Sequence, residues 1–153
     1  MAVSSGKIAE SLRLLAGDEE DLKVISAAVQ DAVCTIGDIA YEPRGRRLTV
    51  ALNRFRWEAP SAARGGERVR AALQFGAVLS VQARRLRRDA RQGVLSLLSI
   101  GLESGEAPAG VVTLNFAGGG ALRIEVECVD AVLSDLSAPW PTPRRPSHDG
   151  AEG

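Results

Sequence analysis

A fifteen-residue alternation in the middle of the chain constrains its fold more than any other stretch. Val69, Ala71, Leu73, Phe75, Ala77, Leu79, Val81 and Ala83 fall at every second position, interleaved with Arg68, Arg70, Gln74, Ser80 and Gln82. Successive side chains of a strand point to opposite faces, so a period of two predicts a long strand over 69–83 with one apolar face. Gly76 lies inside the run, and a glycine inside a strand marks a bend.

The same reasoning extends to the rest of the chain. Leu12–Ala16 is a short apolar segment that reads as a first strand. Asp18 then has the residue type of a helix N-cap, and Glu19, Glu20 and Asp21 put negative charge on the first turn, where the helix dipole favours it. Leu22, Ile25, Ala28, Val29, Ala32 and Val33 follow at helical spacing and make one apolar stripe.

From Ile36 the period changes to two. Glu42-Pro43-Arg44-Gly45 reads as a turn between a strand at 36–42 and one at 46–58, with Gly45 the candidate for positive φ. In the second strand Leu48, Val50 and Leu52 share a face before the apolar set shifts to Phe55 and Trp57, so a β-bulge is expected near Asn53-Arg54. Ala59–Gly66 reads as a surface loop, Arg84–Gly93 as a charged connection and 94–102 as a central strand.

Val112, Leu114 and Phe116 form one face of the first arm of a final hairpin, and Leu122, Ile124, Val126 and Cys128 one face of its second arm. Opposed residues of an antiparallel pair share a face. Pairing 116 with 122 therefore leaves Gly118-Gly119-Gly120 as a three-residue loop. Val129–Leu136 reads as a strand or a helical turn. The expected fold is α+β: one N-terminal amphipathic helix packed on a curled, mainly antiparallel sheet of about six strands. Such a sheet is a roll or half-barrel, with a pleckstrin-homology-like barrel as one relative. Residues 1–11 read as a flexible start, 12–137 as a single domain and 138–153 as a disordered tail, since Pro139, Pro141, Pro143 and Pro146 crowd the last segment.

The 153 residues carry no net charge, yet the charge is sorted along the chain. Residues 1–42 hold three bases and eight acids, a net of 3 − 8 = −5. Residues 43–91 hold thirteen arginines against Glu58, Glu67 and Asp89, a net of 13 − 3 = +10. Residues 92–153 hold three arginines and eight acids, again −5. A GC-rich genome explains arginine over lysine but not this clustering. Sorted charge either lays down a face for an anionic partner or is cancelled when the segments fold together. The first ten residues show no signal-peptide block and no run approaches the roughly 18 apolar residues of a membrane span, so a cytoplasmic protein is expected.

Several chemistries are excluded. His148, the only histidine, lies in the Pro-rich tail, so imidazole acid–base chemistry and histidine triads are not available in the predicted domain. Cys34 and Cys128 lack Cys-x-x-Cys spacing and read as buried structural thiols; a four-ligand zinc site has too few donors. No phosphate-binding glycine motif is present, and nothing calls for a cofactor. Glu125 and Glu127, two apart on one strand, point the same way at roughly 6.5–7 Å. They are the best carboxylate pair for acid/base work or a divalent metal, although Arg123 shares their face and favours a solvated ion pair.

The arginines form two groups. Arg84, Arg85, Arg87, Arg88 and Arg91 crowd the end of the long alternation. Arg47, Arg54, Arg56, Arg68 and Arg70 lie on predicted outward faces of neighbouring strands. Guanidinium groups bind phosphate and carboxylate in bidentate geometry, so these ten are the candidate anion- or partner-binding residues. The eligible partners are an acidic protein, or RNA or another phosphate-bearing ligand. Aromatics fit to stack bases are few.

Five segments carry a resemblance. Gln30-Asp31-Ala32-Val33, Gly37-Asp38-Ile39-Ala40-Tyr41, Leu52-Asn53-Arg54-Phe55-Arg56-Trp57-Glu58, Gly105-Glu106-Ala107-Pro108-Ala109-Gly110 and Ile124-Glu125-Val126-Glu127-Cys128 resemble an uncharacterised bacterial family described only as a domain of unknown function. The likeness spans about residues 12–140. It implies a bacterial, cytoplasmic single domain and supplies no activity, cofactor or catalytic residue. The expected function is thus a non-enzymatic binding or adaptor module with an Arg-rich face. The alternatives are a carboxylate- or metal-dependent enzyme using Glu125 and Glu127, and a structural homo-oligomer in which acidic and basic segments meet.

Overall fold

The computed structural model describes residues 11–59, 65–104, 106–143 and 146. Residues 1–10 of the expected flexible start (1–11), the middle of the 59–66 loop, and Arg144, Arg145 and His148 lie outside the described residues. The described chain runs β1 (Arg13–Ala16), α1 (Glu19–Ala28), β2 (Val33–Thr35), a 3₁₀ turn (Ile36–Asp38), β3 (Ile39–Glu42), β4 (Arg47–Phe55), β5 (Glu67–Phe75) and β6 (Val78–Arg84). It continues with β7 (Val94–Ser104), β8 (Gly110–Phe116), β9 (Ala121–Val126), β10 (Ala131–Asp135) and β11 (Trp140–Pro141).

Every described strand pairing is antiparallel. The order is β1-β10-β5-β4-β2-β7-β8-β9-β6, with β11 added to β5 and β3 to β4. The short β2 joins the two halves. One core cluster takes Leu48, Leu73, Phe75 and Leu133 from the first half, Leu97, Val112, Leu114 and Ile124 from the second, and Leu22 and Ile25 from α1. The sheet is therefore folded over on itself around a single core, with each buried aliphatic or aromatic side chain contributing about 1.5–3 kcal/mol.

The helix forms where its caps and stripe place it. Asp18 accepts a hydrogen bond from the Asp21 amide at 2.8 Å, and Glu19, Glu20 and Asp21 fill the first turn. It ends at Ala28, short of the predicted stripe, because Asp31 takes a left-handed conformation (φ 63°) and its amide donates to Leu97 O at 2.7 Å. Ala32 and Val33 consequently enter the sheet beside β7.

The expectation of one helix on about six strands is corrected: eleven strands and one α-helix are present among the described residues. Three causes account for the difference. The 69–83 alternation does bend at Gly76, where an added Cβ would stand 2.5 Å from Asp130 Oδ2, and Ala77 takes φ 54°. The bend is sharp enough to make two strands with different partners, β5 between β4 and β10 and β6 on β9. The strands β2 and β11 have only three and two residues, too few to show a period. And 131–135 is an extended strand between β1 and β5, stabilised by neighbours far away in sequence. Within the segment read as a tail, Trp140–Pro141 bridges to β5 and the Thr142 amide donates to Gly66 O at 3.0 Å.

Two local expectations are also revised. No bulge interrupts β4, which pairs with β5 without a register shift from Leu48↔Phe75 to Phe55↔Arg68. Arg54 simply continues the face of Leu48, Val50 and Leu52 into the interior, while Phe55 is buried on the opposite face against Trp57, ring centroids 4.6 Å apart. In the last hairpin the faces pair as argued, but Leu114 opposes Leu122 and Phe116 N donates to Gly120 O. The three-residue loop is Ala117-Gly118-Gly119, with Gly118 and Gly119 at positive φ. Parity fixes which face a residue takes; it leaves shifts of two residues open.

Candidate functional site

The ten candidate arginines separate into two groups with opposite environments. The first lies at the β4–β5 end of the sheet. Arg54 is 0% exposed. Its guanidinium holds Asp135 of β10 in a bidentate pair (Nε–Oδ1 2.9 Å, Nη2–Oδ2 3.0 Å) and Glu58 in a second (Nη1–Oε1 3.0 Å, Nη2–Oε2 2.8 Å). Asp135 Oδ2 also accepts from the Leu12 amide at 2.9 Å, which ties the start of the described chain to the same point. Arg56, also buried, pairs with Glu67 and approaches Glu58 at 3.8 Å.

These charges set each other's protonation. Burial alone disfavours the charged form of Arg54, but the hydrogen bonds and charges of Glu58 and Asp135 outweigh it and hold the guanidinium firmly protonated. Burial likewise works to raise Glu58; the bonds from Arg54 win, and its carboxyl titrates below the ordinary range.

Arg68 and Arg70 stand on the other face of β5 and are half-buried. Arg70 bonds Asp38 at 2.8 Å and Asn53 Oδ1 at 3.2 Å. Asp38 is desolvated, yet the Thr35 amide and Arg70 hold its pKa below the usual value. Arg68 donates to Asn53 O at 3.0 Å and lies over the Phe55 ring, 6.0 Å from its centroid. Burial lowers its pKa, and the charge of Asp31 partly offsets this. Arg47 is exposed and paired with Glu42 across the β3–β4 hairpin at 3.1 Å. This group therefore does not form an open guanidinium patch; its members are turned toward carboxylates and backbone carbonyls.

The second group is on the connection between β6 and β7. Arg84, Arg85, Arg87, Arg88 and Arg91 are all exposed. The one ion pair among them, Arg87 with Asp89 at 4.0 Å, is long and solvated, a geometry worth little. Arg84, Arg85, Arg88 and Arg91 have no carboxylate within 4.0 Å among the described residues.

The connection is nonetheless held in place. Gly37 N donates to Arg91 O at 2.8 Å and Ile36 N to Gly93 O at 2.9 Å; turns close from Arg87 to Ala90 and from Ala90 to Gly93. At its other end Leu86 packs on Gly120, where an added Cβ would lie 2.5 Å from Leu86 Cδ2. The third glycine of the triplet thus leaves room for the Leu86 side chain, while the first two serve the turn.

Two depressions meet at Arg88. One, of about 410 Å³, is lined by Val81, Gln82, Ala83, Arg84, Arg88 and Arg123. The other, of about 170 Å³, is lined by Ile36, Ile39, Ala83, Leu86, Leu122, Arg88 and Arg91. The apolar residues of this second depression were missed as site residues in the sequence. Leu86 was the available signal: a lone aliphatic among the arginines of Arg84-Arg85-Leu86-Arg87-Arg88.

The carboxylates Glu125 and Glu127 are each engaged separately, Glu125 by Ser80 Oγ at 3.1 Å and Glu127 by Arg46 at 2.7 Å, and Arg123 turns to Glu103 at 3.5 Å. Among the described residues no three His, Cys, Asp or Glu side chains converge as a metal would need. Cys34 and Cys128 are free thiols, and burial pushes the Cys34 thiol up to about 11. No described helix is long and apolar enough to cross a membrane.

Comparison with known proteins adds one finding. The family model described as a protein of unknown function (DUF2948) matches residues 12–148. No curated protein and no solved structure matches the chain.

Proposed function

The chain belongs to the DUF2948 family of unknown function, which assigns no chemistry, and from its own residues we propose that it is a binding module whose β6–β7 connection holds an anionic partner. The observation that carries this reading is the contrast in pairing. Arg47, Arg54, Arg56 and Arg70 each have a carboxylate, whereas Arg84, Arg85, Arg88 and Arg91 have none among the described residues. Five guanidiniums on eight consecutive positions repel one another, and an anion that bridges them relieves that repulsion. Arg84, Arg88 and Arg123 around one depression offer forked donors suited to phosphate or carboxylate oxygens.

The test is fluorescence anisotropy with two labelled probes, a twelve-nucleotide oligouridylate and hexaglutamate, in about 20 mM and about 150 mM salt, a range over which the Debye length shrinks severalfold. Wild-type protein binds at least one probe, more weakly at the higher salt, and R84Q/R85Q/R87Q/R88Q loses that binding. Undiminished binding by the variant, or no binding of either probe by wild type at low salt, contradicts the proposal.

A further inference from the structure

The proposed anionic partner needs more than charge if this face is to select it, and the smaller depression beside Arg88 supplies a second kind of contact. Ile36, Ile39, Leu86 and Leu122 present aliphatic surface, Ala83 opposes Leu122 across the β6–β9 pair, and Arg88 and Arg91 stand among the same lining residues. Its volume of about 170 Å³ is close to that of a cavity that holds one benzene ring, hence one apolar side chain. No aromatic ring lines it. Bases are recognised by stacking on aromatic or guanidinium planes and by hydrogen bonds to their edges. Of the lining residues only Arg88 and Arg91 offer either, and the aliphatic remainder suits an apolar side chain better.

From this we infer that the partner is an acidic protein segment that inserts one aliphatic or aromatic side chain between Leu86, Ile36, Ile39 and Leu122, with its flanking carboxylates on Arg88, Arg91 and Arg84. The inference rests on the binding-module reading above and narrows its partner from any anion to a peptide. Charge complementarity selects the flanking residues. The apolar floor selects the anchor, in the arrangement of interfaces where one side chain fills a pocket inside a polar rim. Preorganisation supports it: the bonds from Ile36 N to Gly93 O and from Gly37 N to Arg91 O fix the loop against the 3₁₀ turn, so docking orders little that is not ordered already.

Two labelled heptapeptides test the inference, Asp-Glu-Asp-Leu-Asp-Glu-Asp and the same peptide with Ser replacing Leu, with oligouridylate alongside. Wild type binds the Leu peptide about ten- to a hundredfold more tightly than the Ser peptide, the range expected for burying one leucine. Ala83→Leu, at an exposed position on β6, fills the depression from its edge and leaves every arginine in place. In that variant the preference for the Leu peptide disappears while weak, salt-dependent binding of both peptides persists.

Equal binding of the two peptides by wild type overturns the anchor and leaves the anionic face standing. Binding of oligouridylate without either peptide overturns the peptide assignment and again leaves the face. Failure of all three probes removes both proposals together.

Discussion

The β4–β5 end of the sheet and the β6–β7 connection are built from the same residue type and put it to opposite uses. At the first, Arg54 is wholly buried between two carboxylates, and Arg56 joins them through Glu58 while pairing with Glu67. At the second, five arginines face solvent, and Asp89 is the one carboxylate within 4.0 Å of any of them among the described residues. The difference lies in what the fold brings from elsewhere. Asp135 reaches Arg54 because β10 pairs with β5, which pairs with β4; among the described residues no strand brings a carboxylate within 4.0 Å of the connection's arginines. Side-chain chemistry is therefore an incomplete guide to role: a guanidinium acts as internal cement or as an open contact according to the carboxylates that topology supplies.

The largest expected effect comes from breaking the buried side. Arg54→Met leaves Asp135 desolvated with no counter-ion, and removing one partner of a buried pair costs about 3–5 kcal/mol. Urea denaturation of R54M measures it directly, and a loss under about 1 kcal/mol sinks the assignment of Arg54 as the organising charge.

Acid acts on Glu58 of this cluster and on Asp38, the partner of Arg70. Glu58 and Asp38 have folded-state pKa values below their ordinary 4.5 and 3.8. Below those ordinary values the unfolded chain binds protons that the folded chain still refuses, so the stability these groups contribute is present above that range and lost as pH falls through their folded values. The urea midpoint is expected to fall between about pH 5 and pH 3, less steeply in R54M, in which Glu58 loses the Arg54 bonds that lower its pKa. Equal slopes in the two proteins contradict the coupling.

A smaller effect belongs to the packing that holds the connection. Gly120→Ala forces Leu86 aside, at a cost of about 1 kcal/mol in thermal denaturation. It displaces the floor of the smaller depression as well, so the Leu-peptide preference falls with it. A variant with unchanged stability and unchanged preference shows that the Leu86 contact with Gly120 does not position the loop.

Much of this architecture was legible in the sequence where a pattern is local. The N-cap at Asp18, the two-residue period before Gly76 and the shared faces of the last hairpin all depend on neighbours within a few positions. Past Gly76 the expected phase fails: the register shifts between Val78 and Ser80, so Val78 is buried and Leu79 exposed. The hairpin register was not, because Leu114 satisfies the facing rule opposite residue 122 or 124 alike. Arg54 was read as outward since its phase was attributed to a bulge; the partner that permits its burial, Asp135, is 81 residues away and no local pattern announces it. The two groups of arginines stand apart in the sequence, but that one is paired and the other open was visible only once β10 and the 3₁₀ turn were in place.

The most direct test of the contrast needs no ligand. Urea denaturation of wild type and R84Q/R85Q/R87Q/R88Q is measured at low salt and again at high salt. Open, mutually repelling arginines predict that the neutralised protein is as stable as wild type to within about 0.5 kcal/mol, or slightly more stable at low salt, with any difference vanishing as salt screens the charges. A variant destabilised by more than about 1 kcal/mol at both salts means that these arginines are structural as Arg54 is, and the division between the two regions fails.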